Sequence, residues 1–170
     1  EAEPSYSDKM MFLDCFLGGK PYSKEYKLVG GRAVVMFRTL TSQELDAIYA
    51  QADYEQSLGK ITNYIDRQER IQRYRMYLQM VSIQGVGNTI NATLPEGFTP
   101  TTNPFVKTHW ELPDDLPLNN PGMELIEEYM TANVIRTETM HRALRLIVNQ
   151  FNRLTSKLEA MMDTKDESFW

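Results

Sequence analysis

The sequence predicts an α+β chain that is mainly helical, with an N-terminal β-hairpin and a long proline-rich extended arm. Three observations point there. A glycine pair, Gly30-Gly31, separates two strand-like runs. Apolar residues recur at steps of three and four over several later stretches. Six of the eight prolines (Pro95, Pro100, Pro104, Pro113, Pro117 and Pro121) fall within residues 85–121. A chain of 170 residues is enough for one domain with a real core, and a single domain spanning 1–170 is expected.

No regular element is assigned before residue 25. The opening "EAEPSYSDKM" is acidic and polar and carries no signal-peptide pattern. The first residue is Glu rather than Met, which fits a processed form or numbering that starts within a longer chain. Cys15 is the single cysteine, so it forms no intrachain disulfide and is expected to be a small buried apolar residue.

The hairpin is expected over residues 25–40. Paired glycines supply the positive φ of a two-residue turn. Pairing about Gly30-Gly31 sets Leu28 opposite Ala33 and Tyr26 opposite Val35, with Phe37 on the same apolar, core-directed face. The other face carries Lys27, Arg32, Val34, Met36 and Arg38 and is expected to meet water or a partner. "TSQE" then gives a capping box, Thr41 as N-cap and Glu44 three residues on. The helix it opens, about 42–56, presents Leu45, Ile48 and Ala52 inward. A second helix is expected over about 58–83, where Ile71, Tyr74, Leu78 and Val81 share a face.

Residues 85–121 combine their prolines with Leu94, Phe98, Phe105, Val106, Trp110, Leu112, Leu116 and Leu118. Proline favours extended backbone, and so apolar an insert needs a surface to lie on. It is expected to be an arm that wraps its own domain or a neighbour, with a short strand at "FVKTHWEL". A helix over about 123–134 places Met123, Ile126, Met130 and Val134 on one face. The last helix, about 137–162, carries Met140, Leu144, Ile147, Phe151, Leu154, Leu158 and Met161 at alternating steps of four and three. This repeat suits either packing along another helix of the same bundle or a coiled coil with a partner. The tail, 163–170, ends in Phe169-Trp170, expected to dock in a pocket of its own core or of a neighbour.

Composition narrows the function. A net charge of −5 disfavours a general binder of nucleic acid or anionic membrane, and no apolar run reaches the ~20 residues of a membrane span. There is no phosphate-binding glycine loop and no zinc-ligand spacing. His109 and His141 make a weak base-and-orienter pair, and the acids of "ELPDD" and "ELIEE" are expected to be solvated. The "NAT" triplet at Asn91 matches a glycosylation pattern that is common by chance.

Lys60, Arg67, Arg70, Arg73 and Arg75 lie among Tyr64, Tyr74 and Tyr77, a mixture that suits single-stranded nucleic acid. Asp66 and Glu69 dilute the run, however, and the stretch from Glu111 to Glu128 holds six acids and no basic residue. A solvated or acid-paired face is the simpler expectation, with partner contacts and nucleic acid as alternatives. Of the ten methionines, Met76, Met80, Met161 and Met162 are candidates for a re-packing interface, against ordinary core filling.

The order of hairpin, then "FRTLTSQELDAI", then a long helix with aromatic and arginine residues resembles small tail-assembly and baseplate-hub proteins of tailed bacteriophages. In those proteins a short β segment ending in an fR-lT-x-x-E pattern leads into helices. The matching stretch is "VVMFRTLTSQELDAI", residues 34–48, with a looser match to about residue 83. The resemblance implies a non-enzymatic virion or assembly protein with no cofactor and no small-molecule substrate, assembled in the host cytoplasm and located in the virion. Its partners would be other virion structural subunits, with self-association an open alternative and no membrane role.

The residues expected to meet partners follow from the elements: Arg32, Val34, Met36 and Arg38 on the hairpin; Phe98, Phe105 and Trp110 on the arm; Leu144, Phe151 and Leu158 on the last helix; and Phe169 and Trp170 at the end. Three rivals stand beside the expected tail or baseplate component. They are a tail-assembly chaperone absent from the mature particle, a portal-region packaging factor that contacts nucleic acid, and a small hydrolase dependent on His109 or His141.

Overall fold

A computed structural model describes residues 3–85, 127–128, 130–132 and 134–163. These residues are mostly helical and contain one small antiparallel sheet of three strands, in the order β1-β2-β3. The expected arm over 85–121, except for Gly85, and the tail from 164 lie outside them.

The first element is a helix where none was expected, α1 (Tyr6–Gly18). Ser5 caps it: its Oγ accepts from the Asp8 N–H at 3.1 Å, and the Asp8 carboxylate accepts from the Ser5 N–H. Gly19 ends it in the left-handed region at φ 67°, with Lys20 N–H donating to Cys15 O at 2.8 Å. Asp8 also takes the Lys24 ammonium at 2.8 Å and the Tyr22 hydroxyl at 3.4 Å, which ties the helix to the next strand.

β1 (Ser23–Leu28) and β2 (Ala33–Arg38) form the hairpin. Leu28 pairs with Ala33 and Tyr26 with Val35, the register set by symmetry about the glycine pair. The connection is longer than a two-residue turn. Val29–Gly31 makes a 3₁₀ turn in which Val29, Gly30 and Gly31 all have positive φ, and Arg32 N–H closes on Val29 O at 3.2 Å. Val29, with φ 51°, is the one described non-glycine residue held there, a strained position for a β-branched side chain.

α2 (Ser42–Ser57) begins at the capping box of Thr41 and Glu44. Ile48 and Ala52 are buried, whereas Leu45 is half-buried. The expected second helix is corrected at both ends. Gly59, at φ 77°, terminates α2 with Lys60 N–H on Glu55 O, and Asn63 caps a new helix by accepting from the Asp66 N–H at 2.9 Å. That helix, α3 (Tyr64–Gln79), stops four residues short of the expected end. Met80–Gly85 is instead β3, paired to β2 with Val35 opposite Ile83 and Phe37 opposite Met80, and with a bulge between Met36 and Phe37. Val81 and Ile83 suit a pleated surface, and the open edge of β2 offers backbone groups that need partners. Steps of three and four up to Val81 did not separate a helix from a helix followed by a short strand.

The last helix, α4 (Glu138–Met162), is capped by Thr137, whose Oγ1 accepts from the Met140 N–H at 3.2 Å. Its fully buried line is Leu144, Val148, Phe151, Thr155 and Leu158, again at alternating steps of four and three. Ile147 and Leu154 flank that line half-buried, so the inward stripe sits one position to the side of the expected repeat. Phe151 is the centre of the core. It stacks on Tyr22 at 5.9 Å, meets Tyr26 edge-on at 6.3 Å, and lies 6.4 Å from Phe37. Phe12 from α1 closes on Tyr22 at 5.5 Å. One aromatic cluster therefore joins α1, both hairpin strands and α4.

Candidate interaction surface

The residues expected to meet partners separate into three groups. Arg32 is exposed, and Val34 and Met36 are half-buried on the sheet face away from Phe151. Arg38, Leu144, Phe151 and Leu158 are corrections, since all four are buried in the chain's own interior. Leu144, Phe151 and Leu158 turn inward because the hairpin, α1 and α3 supply the apolar surface that the α4 stripe needs. Met76 and Met80 are likewise core residues, while Met161 and Met162 are half-buried. Phe98, Phe105, Trp110, Phe169, Trp170, Asn91 and His109 lie outside the described residues.

Arg38 leaves the outer face because its charge is used at the corner between β2 and α2. Its Nη1 donates to Glu44 Oε1 at 2.9 Å and its Nη2 to Glu44 Oε2. Burial acts to raise the Glu44 pKa, but the hydrogen bonds and charge of Arg38 and the Thr41 cap outweigh it and hold the carboxyl below its ordinary 4.5. Beside this pair, Gln79 Nε2 donates to Arg38 O at 3.1 Å and to Asn152 Oδ1 at 2.7 Å, and Asn152 Nδ2 returns a bond to Gln79. The end of β2, the end of α3 and the middle of α4 are thus locked by polar contacts in a buried region.

The basic stretch of α3 is engaged with acids of the same chain. Arg67 meets Asp53 at 2.7 Å, Arg70 meets Glu55 at 3.2 Å, Arg70 and Arg73 both approach Glu127 within 4 Å, and Arg145 of α4 reaches Glu69 at 2.8 Å. A polar cavity of about 250 Å³ lies here, lined by Glu55, Lys60, Arg70, Tyr74, Glu127, Glu128 and Thr131. In its wall the buried Glu55 carboxylate accepts from the Tyr74 hydroxyl at 2.7 and 2.9 Å. Burial first, and then the bonds to Glu55, drive the Tyr74 phenol well above its usual pKa, so it stays protonated as a donor. His141 stands near Arg73, Glu138, Arg145 and Glu69. Burial and then the Arg73 charge hold it below 6.5, so it is neutral at pH 7. Among the described residues no cluster of three or more His, Cys, Asp or Glu is arranged for a metal ion, and no helix is long and apolar enough to cross a membrane.

Among the described residues, the element carrying the most exposed large apolar side chains is α1. Tyr6 is 72% exposed, Met11 52%, Phe16 60% and Leu17 73%. Of α1 only Phe12 is fully buried. Single exposed apolar residues are ordinary, but Tyr6, Phe16 and Leu17 fall within about 100° of one another on the helix, with Met11 round the side, and make a patch of the kind that marks a contact surface. A second, smaller group, Leu58, Tyr64 and Ile65, is exposed around the α2–α3 connection. The sequence holds a signal for α1: "SYSDKMMFLDCFLGG" has the Ser5 cap, an apolar body and a terminal glycine pair. Its apolar residues run all round the helix, however, rather than along one stripe, which hid both the helix and its second face.

No family model, curated protein or solved structure matches this chain.

Proposed function

We propose that this chain is a non-enzymatic structural or assembly protein that works by protein–protein contact, as a tail or baseplate component of a tailed-phage virion. The observation that carries the contact reading is the outward apolar face of α1, held rigidly by the Ser5 cap, the Asp8–Lys24 bridge and the Phe12–Tyr22 packing. Leaving Tyr6, Phe16 and Leu17 in water forfeits about 1.5–3 kcal/mol per large side chain relative to burial, and a partner recovers that energy. The virion setting rests on the resemblance of residues 34–48. The proline-rich composition of residues 85–121 adds a second element to the proposal, an extended arm that lies along a neighbouring subunit.

The packaging-factor rival is disfavoured by the acid partners of Arg67, Arg70 and Arg73, which leave less cationic surface for phosphates. Quantitative mass spectrometry of purified particles tests the proposal. A component appears at fixed copy number, and the Leu17→Glu variant is depleted from the particle. A chain absent from particles supports the chaperone alternative. A Leu17→Glu chain incorporated at the wild-type level removes α1 from the account.

A further inference from the structure

The sheet has two outer strands, and the chain treats them differently. In β3, Met80, Val81, Ser82 and Ile83 are all buried, so both faces of that strand are covered. In β1 no residue is buried, and Glu25 and Lys27 are exposed. Among the described residues no strand pairs with the outer side of β1. The strand pairs with β2 residue for residue without a bulge, and it contains no proline. Cover, bulges and proline are usual protections of a sheet edge. β1 has none of them among the described residues, so its outward N–H and C=O groups form a regular template for another strand.

Charge is the remaining protection, and its placement decides which strand is admitted. Lys24 is drawn to the core side, where its ammonium meets Asp8 at 2.8 Å. Glu25 and Lys27 lie on the other face, exposed and with no ion pair or hydrogen bond of their side chains among the described residues. With two copies of β1 edge to edge and antiparallel about a two-fold axis at Tyr26, Glu25 of each copy stands opposite Lys27 of the other, twice by symmetry. An axis at Glu25 or at Lys27 sets like charges against each other instead. An axis between two residues sets core-side side chains against water-side ones. We infer that β1 pairs antiparallel with β1 of a second copy about Tyr26, its register fixed by Glu25 and Lys27. The result is one continuous sheet with three strands from each copy. This goes beyond the contact reading above, because it rests on the open strand and not on α1.

One short strand from each copy makes a small contact beside the roughly 800 Å² per partner of a standard interface. The pairing is therefore concentration-dependent, and it strengthens where other contacts already hold copies side by side.

Sedimentation equilibrium of the full chain provides the test. Wild type should show a reversible dimer. Glu25→Lys and Lys27→Glu should each weaken it by roughly threefold or more, since each sets like charges opposite one another twice, and the double exchange should restore it. Both positions are exposed, so circular-dichroism melts of the dilute variants should match wild type. In a Cys15→Ser background, a Glu25→Cys chain mixed with a Lys27→Cys chain should cross-link on oxidation with diamide. Neither should do so alone, because in this register only residue 25 of one copy and residue 27 of the other are close enough for a disulfide. Three outcomes overturn the inference: a wild type that is monomeric at every soluble concentration, a double exchange that does not restore pairing, and a single cysteine chain that cross-links as readily as the mixture. A dimer that ignores these charges and is broken by Leu17→Glu moves the contact to α1 and overturns it as well. A monomeric wild type whose entry into particles still depends on Leu17 removes strand pairing alone and leaves the contact proposal standing.

Discussion

Arg38 and Glu44 clasp each other across the corner between β2 and α2, Nη1 to Oε1 at 2.9 Å, with both side chains largely withdrawn from water. The same Glu44 oxygen accepts from the Thr41 N–H at 2.9 Å, while the Thr41 hydroxyl accepts from the Glu44 N–H at 3.2 Å. One carboxylate therefore caps the helix and neutralises the last residue of the central strand. This gives a physical reason for the FR-x-L-T-x-x-E spacing: the arginine ends a strand, the threonine starts a helix, and the glutamate three residues on reaches both. The motif fixes an angle between two elements, and its residues are consumed in doing so.

The pair makes stability depend on pH with a definite sign. Because the folded-state pKa of Glu44 lies below its ordinary 4.5, its contribution is fully present above that value and is lost as pH falls through the depressed one. Glu44→Gln should cost about 3 kcal/mol at neutral pH, since it removes the carboxylate that holds the buried guanidinium by two hydrogen bonds. Urea melts at neutral pH and at about pH 3 should show the gap between wild type and variant narrowing in acid. A gap that stays constant would place the acid sensitivity elsewhere.

Phe151 tests the assignment of the α4 stripe to the interior. Packed among Tyr22, Tyr26 and Phe37, it should cost about 3–5 kcal/mol when cut to alanine. That loss should appear in thermal melts of dilute chain and should not depend on protein concentration. A concentration-dependent loss would return Phe151 to an interface.

Gln51 is fully buried on α2, and among the described residues neither its amide nitrogen nor its amide oxygen has a hydrogen-bond partner. An unsatisfied buried amide is a stability defect of about 1–3 kcal/mol. Gln51→Met keeps the length and removes the polar atoms, so it should raise the melting temperature. A lower melting temperature would mean that the amide makes a contact needed for folding.

Much of this fold was legible in the sequence. The hairpin register, the Thr41–Glu44 cap and the extent of α4 follow from local chemistry, because glycine pairing, capping and a long unbroken repeat each act within a few residues. Elements decided by tertiary contact were not legible. β3 exists because the free edge of β2 selects Met80–Gly85, and Arg38 is buried because Glu44 is there to receive it. Leu144, Phe151 and Leu158 have a spacing that serves a partner and an own core equally well, and only the position of the hairpin aromatics decides between them. α1 failed for the opposite reason, being apolar on its inner and outer sides alike.

The central claim is that the outer face of α1 is occupied when the protein works. A photo-reactive benzoylphenylalanine in place of Tyr6, irradiated in cells assembling particles, measures this directly. The account predicts an adduct to another polypeptide, a second copy or a different subunit, at high yield. Adducts confined to the same chain, or none at all beside a folded and assembled protein, would contradict it.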